Sequence, residues 1–352
     1  MILNQGTQTV NPRLGSSFAI FASCYISLAL MLIILEQLGL STSSIDALIA
    51  FLPLGFYIAI GFMARTTGVE DFFLAGQRVP PFYSAISLCV AVFGGAMLMG
   101  TIGTFFFVGI DAIALPLGCL SGLILMGVLL VPHLRKAGAN TLPGFLFLRF
   151  GSTLLRLAAA IAGLVSCLII LCAEIALGGK LAASLLPPPA TFGVDLSSAA
   201  FYPLLMLASV LLSVVLGGMR SATWTQCAQF VVVLGLLAPL TVVSVMRTNL
   251  PLPQLTYGSQ LEEIKSLETS KGFVTVSVPL PLSDSLPRVA PQPITRPAER
   301  MFSAFRPIDF ILLVVALAAG IAVHPALVPK LSMTPTILSS RRAFGWVALI
   351  GG

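Results

Sequence analysis

The chain has 352 residues, of which 57% are hydrophobic and only 9% are charged, and its formal net charge is +6. Soluble domains carry roughly 25% charged residues, so this composition excludes a chain that covers itself with a water-facing surface. It indicates a protein that presents most of its surface to lipid.

Eight apolar segments approach or exceed the roughly 20 residues that a helix needs to cross a bilayer. In chain order they are 17–39, 45–64, 81–109, 113–134, 157–178, 199–217, 222–246 and 308–329. A ninth begins near residue 343 and is cut off at Gly352. The segments predict an all-α membrane protein that lies in the lipid bilayer.

The basic residues mark the orientation of these spans. Most of the 19 Lys and Arg residues fall in alternate short connections, and the intervening short connections hold almost none. Cytoplasmic loops are enriched in Lys and Arg, so we expect a multi-pass inner (plasma) membrane protein with a cytoplasmic N-terminus. The positive charge is a topology signal, and no nucleic-acid partner is expected.

Two predicted spans carry helix-breaking residues. Span 81–109 contains four glycines between Gly94 and Gly103, and span 308–329 contains His324-Pro325 and Pro329. Glycine and proline weaken or interrupt helices, so both spans are predicted to be discontinuous. Paired breaks of this kind indicate a transporter binding site between two repeats. The alternative is that the glycines only permit close helix packing.

The spacing of these two spans predicts the domain organisation. Residues 1–44 form an N-terminal segment with an extra transmembrane helix, and 45–246 hold the helices that include a first five-helix repeat, about 81–246. Residues 247–306 are proline-rich and predict an extracytoplasmic loop. Residues 307–352 would begin a second, inverted repeat with a broken helix and part of the next helix, so that repeat is expected to be truncated.

Two ionisable residues inside the spans are candidates for function, because charge in hydrocarbon is costly. Glu174 either lies near the outer interface, satisfied by water or Lys180, or it lines the outer vestibule or takes part in coupling to protons. His324 either contacts the solute or caps backbone groups freed by the neighbouring proline. His133 and His324 lack metal-ligand spacing, and no phosphate-binding loop is present, so we expect no enzyme, no cofactor and no metal other than a coupling ion.

Four motifs in order resemble those of the solute:sodium symporter family. They are DFFLAGQR at Asp71–Arg78, TLPGF at Thr141–Phe145 with RFG at Arg149–Gly151, GGMRSATWTQ at Gly217–Gln226, and the broken segment Ile321–Lys330 with Arg341-Arg342. The similarity is greatest to the acetate/monocarboxylate permease-like branch.

The resemblance implies a leucine-transporter-type inverted-repeat fold with the first repeat complete and the second truncated. It implies that sodium binds the backbone carbonyls of Val90 and Phe93. The residues expected to line the solute site, one of them at the break of the second repeat, are Gly94, Met97, Pro116, Cys119 and His324.

The chain departs from the family pattern at several polar positions. It has neither an acid nor a hydroxyl at Val92 or Gly94, Gln226 replaces an acid, and Gly144 replaces a glutamate. The resulting prediction is a sodium-coupled symporter of a small organic solute, a monocarboxylate such as acetate, of unknown oligomeric state. The alternative is a symporter-like membrane sensor or a non-transporting truncated fragment.

Overall fold

A computed structural model describes residues 14–186, 198–248 and 305–351, together with Ser266, Ser270 and Phe302. The first thirteen residues and almost all of the predicted loop 247–306 lie outside this described part. Within it, the regular structure is entirely helical. The helices are α1 Leu14–Gln37, α2 Thr42–Met63, α3 Val69–Leu74, α4 Pro81–Val92, α5 Gly95–Val108, α6 Ala114–Leu125, α7 Val131–Lys136, α8 Leu142–Phe150, α9 Thr153–Leu185, α10 Ser198–Thr248, α11 Pro307–Val323, α12 Val328–Ser332 and α13 Ile337–Gly351.

Five of the described helical segments are long and apolar enough to cross a membrane, and a sixth forms if α4 and α5 count as one bent span. The sequence predicts eight. The difference arises because predicted spans 199–217 and 222–246 are one apolar segment, Ala200–Val243, and because predicted span 308–329 contains only a shorter apolar helix, α11.

The segment Ala200–Val243 has 44 residues, about twice what one bilayer crossing requires. Its helical course is interrupted at Gly218, where φ is +54° and ψ is −136°. Only glycine adopts this conformation without strain. A side chain there would also collide with the backbone and ring of Phe72, so the glycine motif 217–226 packs against the motif 71–78.

The C-terminal helices differ from their predicted bounds. Helix α11 ends at Val323, four residues follow, and α12 begins at Val328, so the predicted break in span 308–329 is confirmed. The predicted ninth segment, expected near residue 343, begins at Ile337 as α13. The basic pair Arg341-Arg342, expected in a connection, therefore lies within a helix.

The chain divides into two compact units. The first comprises Met1–Met97, Cys119–Gly235 and Ala318–Gly352. Its core packs α4 against α13, with α7 and α12 alongside. Leu88, Leu123, Met126, Leu134 and Leu331 are among its fully buried side chains, and their burial fixes the position of α4.

The second unit comprises Leu98–Gly118 and Leu236–Leu317. Asp111 lies in a short 3₁₀ turn and is fully buried. Its Oδ1 accepts a hydrogen bond from the Phe302 N–H at 2.6 Å, and its Oδ2 accepts one from the Phe305 N–H at 3.1 Å. This carboxylate therefore ties the backbone that precedes α11 to the turn that follows α5.

Candidate functional site

The predicted break in span 81–109 is present, and it lies at Phe93-Gly94. The Phe93 N–H donates to the Cys89 carbonyl at 2.8 Å and closes the last turn of α4. Helix α5 then starts at Gly95, bent by 51° from α4. Of the four glycines in the segment, Gly100 and Gly103 lie inside α5, with open space beside them. Gly94 and Gly95 therefore lie at the break.

Glu174, on α9, reaches this break. Both of its carboxylate oxygens accept from the Ala96 N–H, at 3.3 Å for Oε1 and 3.1 Å for Oε2. The first N–H groups of a helix have no partner within the helix, and a carboxylate satisfies them and complements the positive end of the helix dipole. Glu174 therefore holds the start of α5.

Gly94 lies close to this carboxylate. A methyl group built at Gly94 would lie 3.2 Å from Glu174 Oε1 and 3.5 Å from the Val90 carbonyl oxygen. One built at Gly95 would lie 3.6 Å from Oε2, an ordinary contact distance. The absence of a side chain at Gly94 is what lets the carboxylate lie this close to the backbone.

Most of the other residues predicted for the site lie in the same unit. Phe93 and Met97 pack against the buried core cluster that contains Cys119. Pro116 is on α6 but belongs to the second unit.

His324 lies at the break between α11 and α12. Its Nδ1 accepts from the Ala326 N–H at 3.3 Å, and its carbonyl accepts from the N–H groups of Leu327 and Val328. Its buried Nε2 has no hydrogen-bond partner among the described residues. The next residue, Pro325, lies close to Gly163 of α9. Gly163 is eleven residues before Glu174, so these two residues are about 16 Å apart along the helix axis.

Sequence reasoning did not select Lys330, which is only 4% exposed. Its ammonium donates to Ser87 Oγ at 3.0 Å and to Gln226 Oε1. Ser87 Oγ donates to the same oxygen at 2.6 Å, and Ser84 Oγ donates to the Lys330 carbonyl at 2.6 Å. The signal that could have identified this contact is Gln226, which stands where the resembled motif has an acid.

Arg135, at the end of α7, makes a second cationic contact with neutral groups. Its Nη1 donates to Ser340 Oγ at 2.7 Å, to the Thr336 carbonyl at 2.9 Å and to Thr334 Oγ1 at 3.1 Å. Its Nη2 donates to the Pro335 carbonyl at 3.3 Å. The guanidinium thus holds the connection between α12 and α13 against α7.

The apolar helices and the broken span define a multi-pass membrane protein. The model of the sodium:solute symporter family matches residues 72–327, which is most of the chain. The chain therefore belongs to the sodium:solute symporter family.

Proteins similar in sequence to this chain include several kinds of transporter. An uncharacterised symporter of Cupriavidus necator is 29% identical over 241 residues, covering 65% of this chain and 34% of its own. The sodium/proline symporter of Escherichia coli is 31% identical over 181 residues, covering 49% of this chain and 34% of its own. A monocarboxylic acid transporter of Corynebacterium glutamicum is 23% identical over 319 residues, covering 90% of this chain and 54% of its own.

The chain thus spans between a third and about half of the length of these relatives. No solved structure matches it significantly.

Proposed function

We propose that the chain takes part in sodium-coupled symport of a small organic solute, a monocarboxylate such as acetate. The observation that carries the proposal is the 51° break at Phe93-Gly94 within an apolar span of a symporter-family chain. In lipid, irregular backbone is tolerated where it is buried in protein or lines a polar cavity. A broken span is therefore a natural place for an ion and a solute.

The fold proposed for this function is a leucine-transporter-type inverted repeat. The first repeat would occupy about 81–246 and the second would begin at 307. Because α4 ends at Val92 and the Phe93 N–H donates to the Cys89 carbonyl, the carbonyls that follow Cys89 lie beyond the regular helical hydrogen bonds. In this proposal Val90 and Phe93 offer backbone oxygens to sodium, as the unwound helices of such transporters do.

The solute would lie beside that ion, against Gly94, Met97 and Cys119. His324 is not included, because the neighbouring Pro325 lies close to Gly163, eleven residues before Glu174 on α9. The carboxylate of Glu174 at the same break supports coupling to a cation. An anionic solute close to a second carboxylate in a low-dielectric site is repelled by several kcal/mol or more. A cation that binds between them would remove this repulsion, so solute and sodium would bind together.

The proposed setting is the inner membrane, with the N-terminus in the cytoplasm. The proposed activity is transport without chemical change of the solute, so the chain would not be an enzyme. Its partners would be the solute, the ion and the bilayer.

The test is uptake by the purified chain in proteoliposomes. Labelled acetate would be offered with an inward sodium gradient, and with potassium in place of sodium. Labelled proline would be offered in parallel vesicles, because relatives include proline transporters. Acetate uptake that requires the sodium gradient is the expected result.

Sodium-dependent uptake of proline and not acetate would keep the transport class and replace the solute. Binding of acetate without accumulation in the vesicles would instead support a sensor-like membrane module. If neither solute binds to the chain and neither is taken up, the proposal is wrong.

A further inference from the structure

We propose that the buried ammonium of Lys330 makes the solute site selective for an anion over a neutral or zwitterionic solute, and that it does so through its charge at a distance. The inference rests on the proposed function and deepens it, because it names the charge class of the solute. It also gives a role to a buried cation that lies outside the predicted site residues.

The positive charge of Lys330 is satisfied by hydrogen bonds but is not cancelled. The residue is only 4% exposed, and its ammonium donates to Ser87 Oγ at 3.0 Å and to Gln226 Oε1. Both acceptors are neutral, and no carboxylate forms an ion pair with Lys330 within the described ranges of the chain. A neutral acceptor satisfies an N–H donor but leaves the charge in place, so a net positive charge remains inside this unit.

The charge lies within electrostatic reach of the break at Phe93-Gly94, and all of these residues belong to the same unit. Ser87 is six residues before Phe93 on α4, which is about 9 Å along the helix axis. Ser84 Oγ donates to the Lys330 carbonyl at 2.6 Å, so the contact between α12 and α4 also fixes where the charge lies.

The burial of this contact keeps the interaction with the break strong. Ser84 and Ser87 are both fully buried, so protein and not water lies around the charge. At an effective dielectric constant of about 20, two unit charges about 9 Å apart change a binding constant by on the order of tenfold. Lys330 therefore needs no contact with the solute to select it by charge.

A count of charges at the break indicates the sign of the preferred solute. The carboxylate of Glu174 contributes one negative charge, and the sodium ion of the proposed function would cancel it. Lys330 then leaves one positive charge that a monocarboxylate neutralises and that acetamide or zwitterionic proline does not. An uncompensated charge in a buried site is costly, so the anion is favoured.

Gln226 is the residue that leaves Lys330 uncompensated. It stands where the resembled motif has an acid, and a carboxylate at this position would pair with the ammonium and cancel most of its field at the break. Gln226→Glu is therefore nearly isosteric and removes the net charge while Lys330 stays in place. Lys330→Met removes the same charge by the opposite route.

Acetate and acetamide provide a matched pair of ligands, because they have nearly the same shape and only acetate is charged. Their binding to the purified chain would be measured with sodium present, together with the unfolding temperature of each variant. We expect acetate affinity to fall by on the order of tenfold in both Gln226→Glu and Lys330→Met. Acetamide affinity should change by about twofold or less. Lys330→Arg keeps the charge and should retain acetate affinity better than Lys330→Met.

Sodium binding without solute gives a readout that a purely structural role could not produce. The charge of Lys330 repels a cation at the break, so its removal should strengthen ²²Na⁺ binding by on the order of tenfold in the same two variants. A damaged fold would weaken the binding of acetate and of sodium together. Shifts in opposite directions are thus the signature of an electrostatic role.

Three outcomes would overturn the inference. The first is acetate affinity in Gln226→Glu and Lys330→Met equal to that of the unaltered chain. The second is a parallel loss of acetate, acetamide and sodium binding, which would leave Lys330 as a structural contact alone. The third is an unaltered chain that binds proline or acetamide in preference to acetate, or that does not bind acetate at all.

The binding assays need no translocation, so their result is separable from the transport test. Sodium-dependent acetate uptake with unchanged acetate affinity in Lys330→Met would remove this inference and leave the proposed function intact. Opposite shifts of acetate and sodium affinity, in a chain that accumulates no solute, would keep the charge selectivity and remove transport.

Discussion

The ammonium of Lys330 donates hydrogen bonds to the side chains of Gln226 and Ser87, and no carboxylate in the described part of the chain lies within ion-pair distance of it. The three residues come from α12, α10 and α4. Taking an ammonium out of water is costly unless its donors are satisfied. The two neutral acceptors are therefore what makes this buried charge tolerable.

This arrangement predicts an asymmetry between two substitutions. Lys330→Met removes the charge and keeps a flexible side chain of similar length, so stability should be nearly unchanged or slightly higher. Gln226→Leu leaves the ammonium without its principal acceptor and should cost about 1–3 kcal/mol. The two variants can be compared by thermal unfolding in detergent, with the folded fraction at each temperature measured by size-exclusion chromatography. Equal losses would show that the hydrogen bond to Gln226 is not what stabilises Lys330.

A carboxylate at position 226 tests the same contact in the opposite direction. Gln226→Glu would convert the hydrogen bond to Lys330 into a buried ion pair, and we expect the unfolding temperature to rise. Adding Lys330→Met would leave the new carboxylate unpaired in a buried site, which typically costs 3–5 kcal/mol. A double-mutant cycle measures this coupling, and a coupling energy near zero would contradict the observed contact.

The broken spans show which features of the fold can be predicted from the local sequence. Proline, and glycine beside the α4–α5 junction, act on their own backbone, so the interruptions at Phe93-Gly94 and after Val323 were predicted from composition. The interruption at Gly218 was predicted only as a connection between two spans. Its close approach to Phe72, a residue that is remote in the sequence, could not be predicted from the local sequence.

The partners of buried charges could not be predicted in the same way. Glu174 was identified as unusual, but its contact with Ala96 depends on how α9 is rotated against α5. Lys330 directly follows the predicted span 308–329, and nothing in the local sequence shows that α4 and α10 cover it. Hydrophobic periodicity gives the buried face of a helix, whereas the identity of the neighbour is a property of the tertiary fold.

Gly218 should be intolerant of even the smallest side chain. Gly218→Ala would strain a backbone conformation with φ +54° and ψ −136° and would collide with Phe72, so we expect a loss of about 1–3 kcal/mol or more. Gly235→Ala is the control on the same helix, since its methyl group would lie 3.5 Å from Tyr25. It should be neutral or stabilise by about 0.5–1 kcal/mol. Equal unfolding temperatures for the two variants would rule out the strained interruption.

The contact between Gly127 and Phe344 tests the packing of α13. Gly127 lies in a short π-helical turn after α6, and a methyl group there would overlap the Phe344 ring, 2.6 Å from its Cγ. Overpacking of this kind typically costs 1–3 kcal/mol. Gly127→Ala should therefore lower the unfolding temperature, and adding Phe344→Leu should restore part of the loss. Failure of the second substitution to recover any stability would show that Phe344 does not pack on this turn.

In the second unit, Asp111 and Asp309 offer two carboxylates with opposite exposure. Asp111 is fully buried and accepts from two backbone N–H groups, whereas Asp309 forms an exposed ion pair with Arg306 at 2.7 Å. Asp111→Asn replaces one acceptor oxygen with an amide that faces a donor, and hydrogen bonds to charged groups contribute about 1.5–3 kcal/mol each. Asp309→Asn should cost about 1 kcal/mol at most, because exposed ion pairs contribute little. Hydrogen exchange at the amides of Phe302 and Phe305 should therefore accelerate in Asp111→Asn and stay nearly constant in Asp309→Asn. The opposite order would mean that the backbone before α11 is held by other contacts.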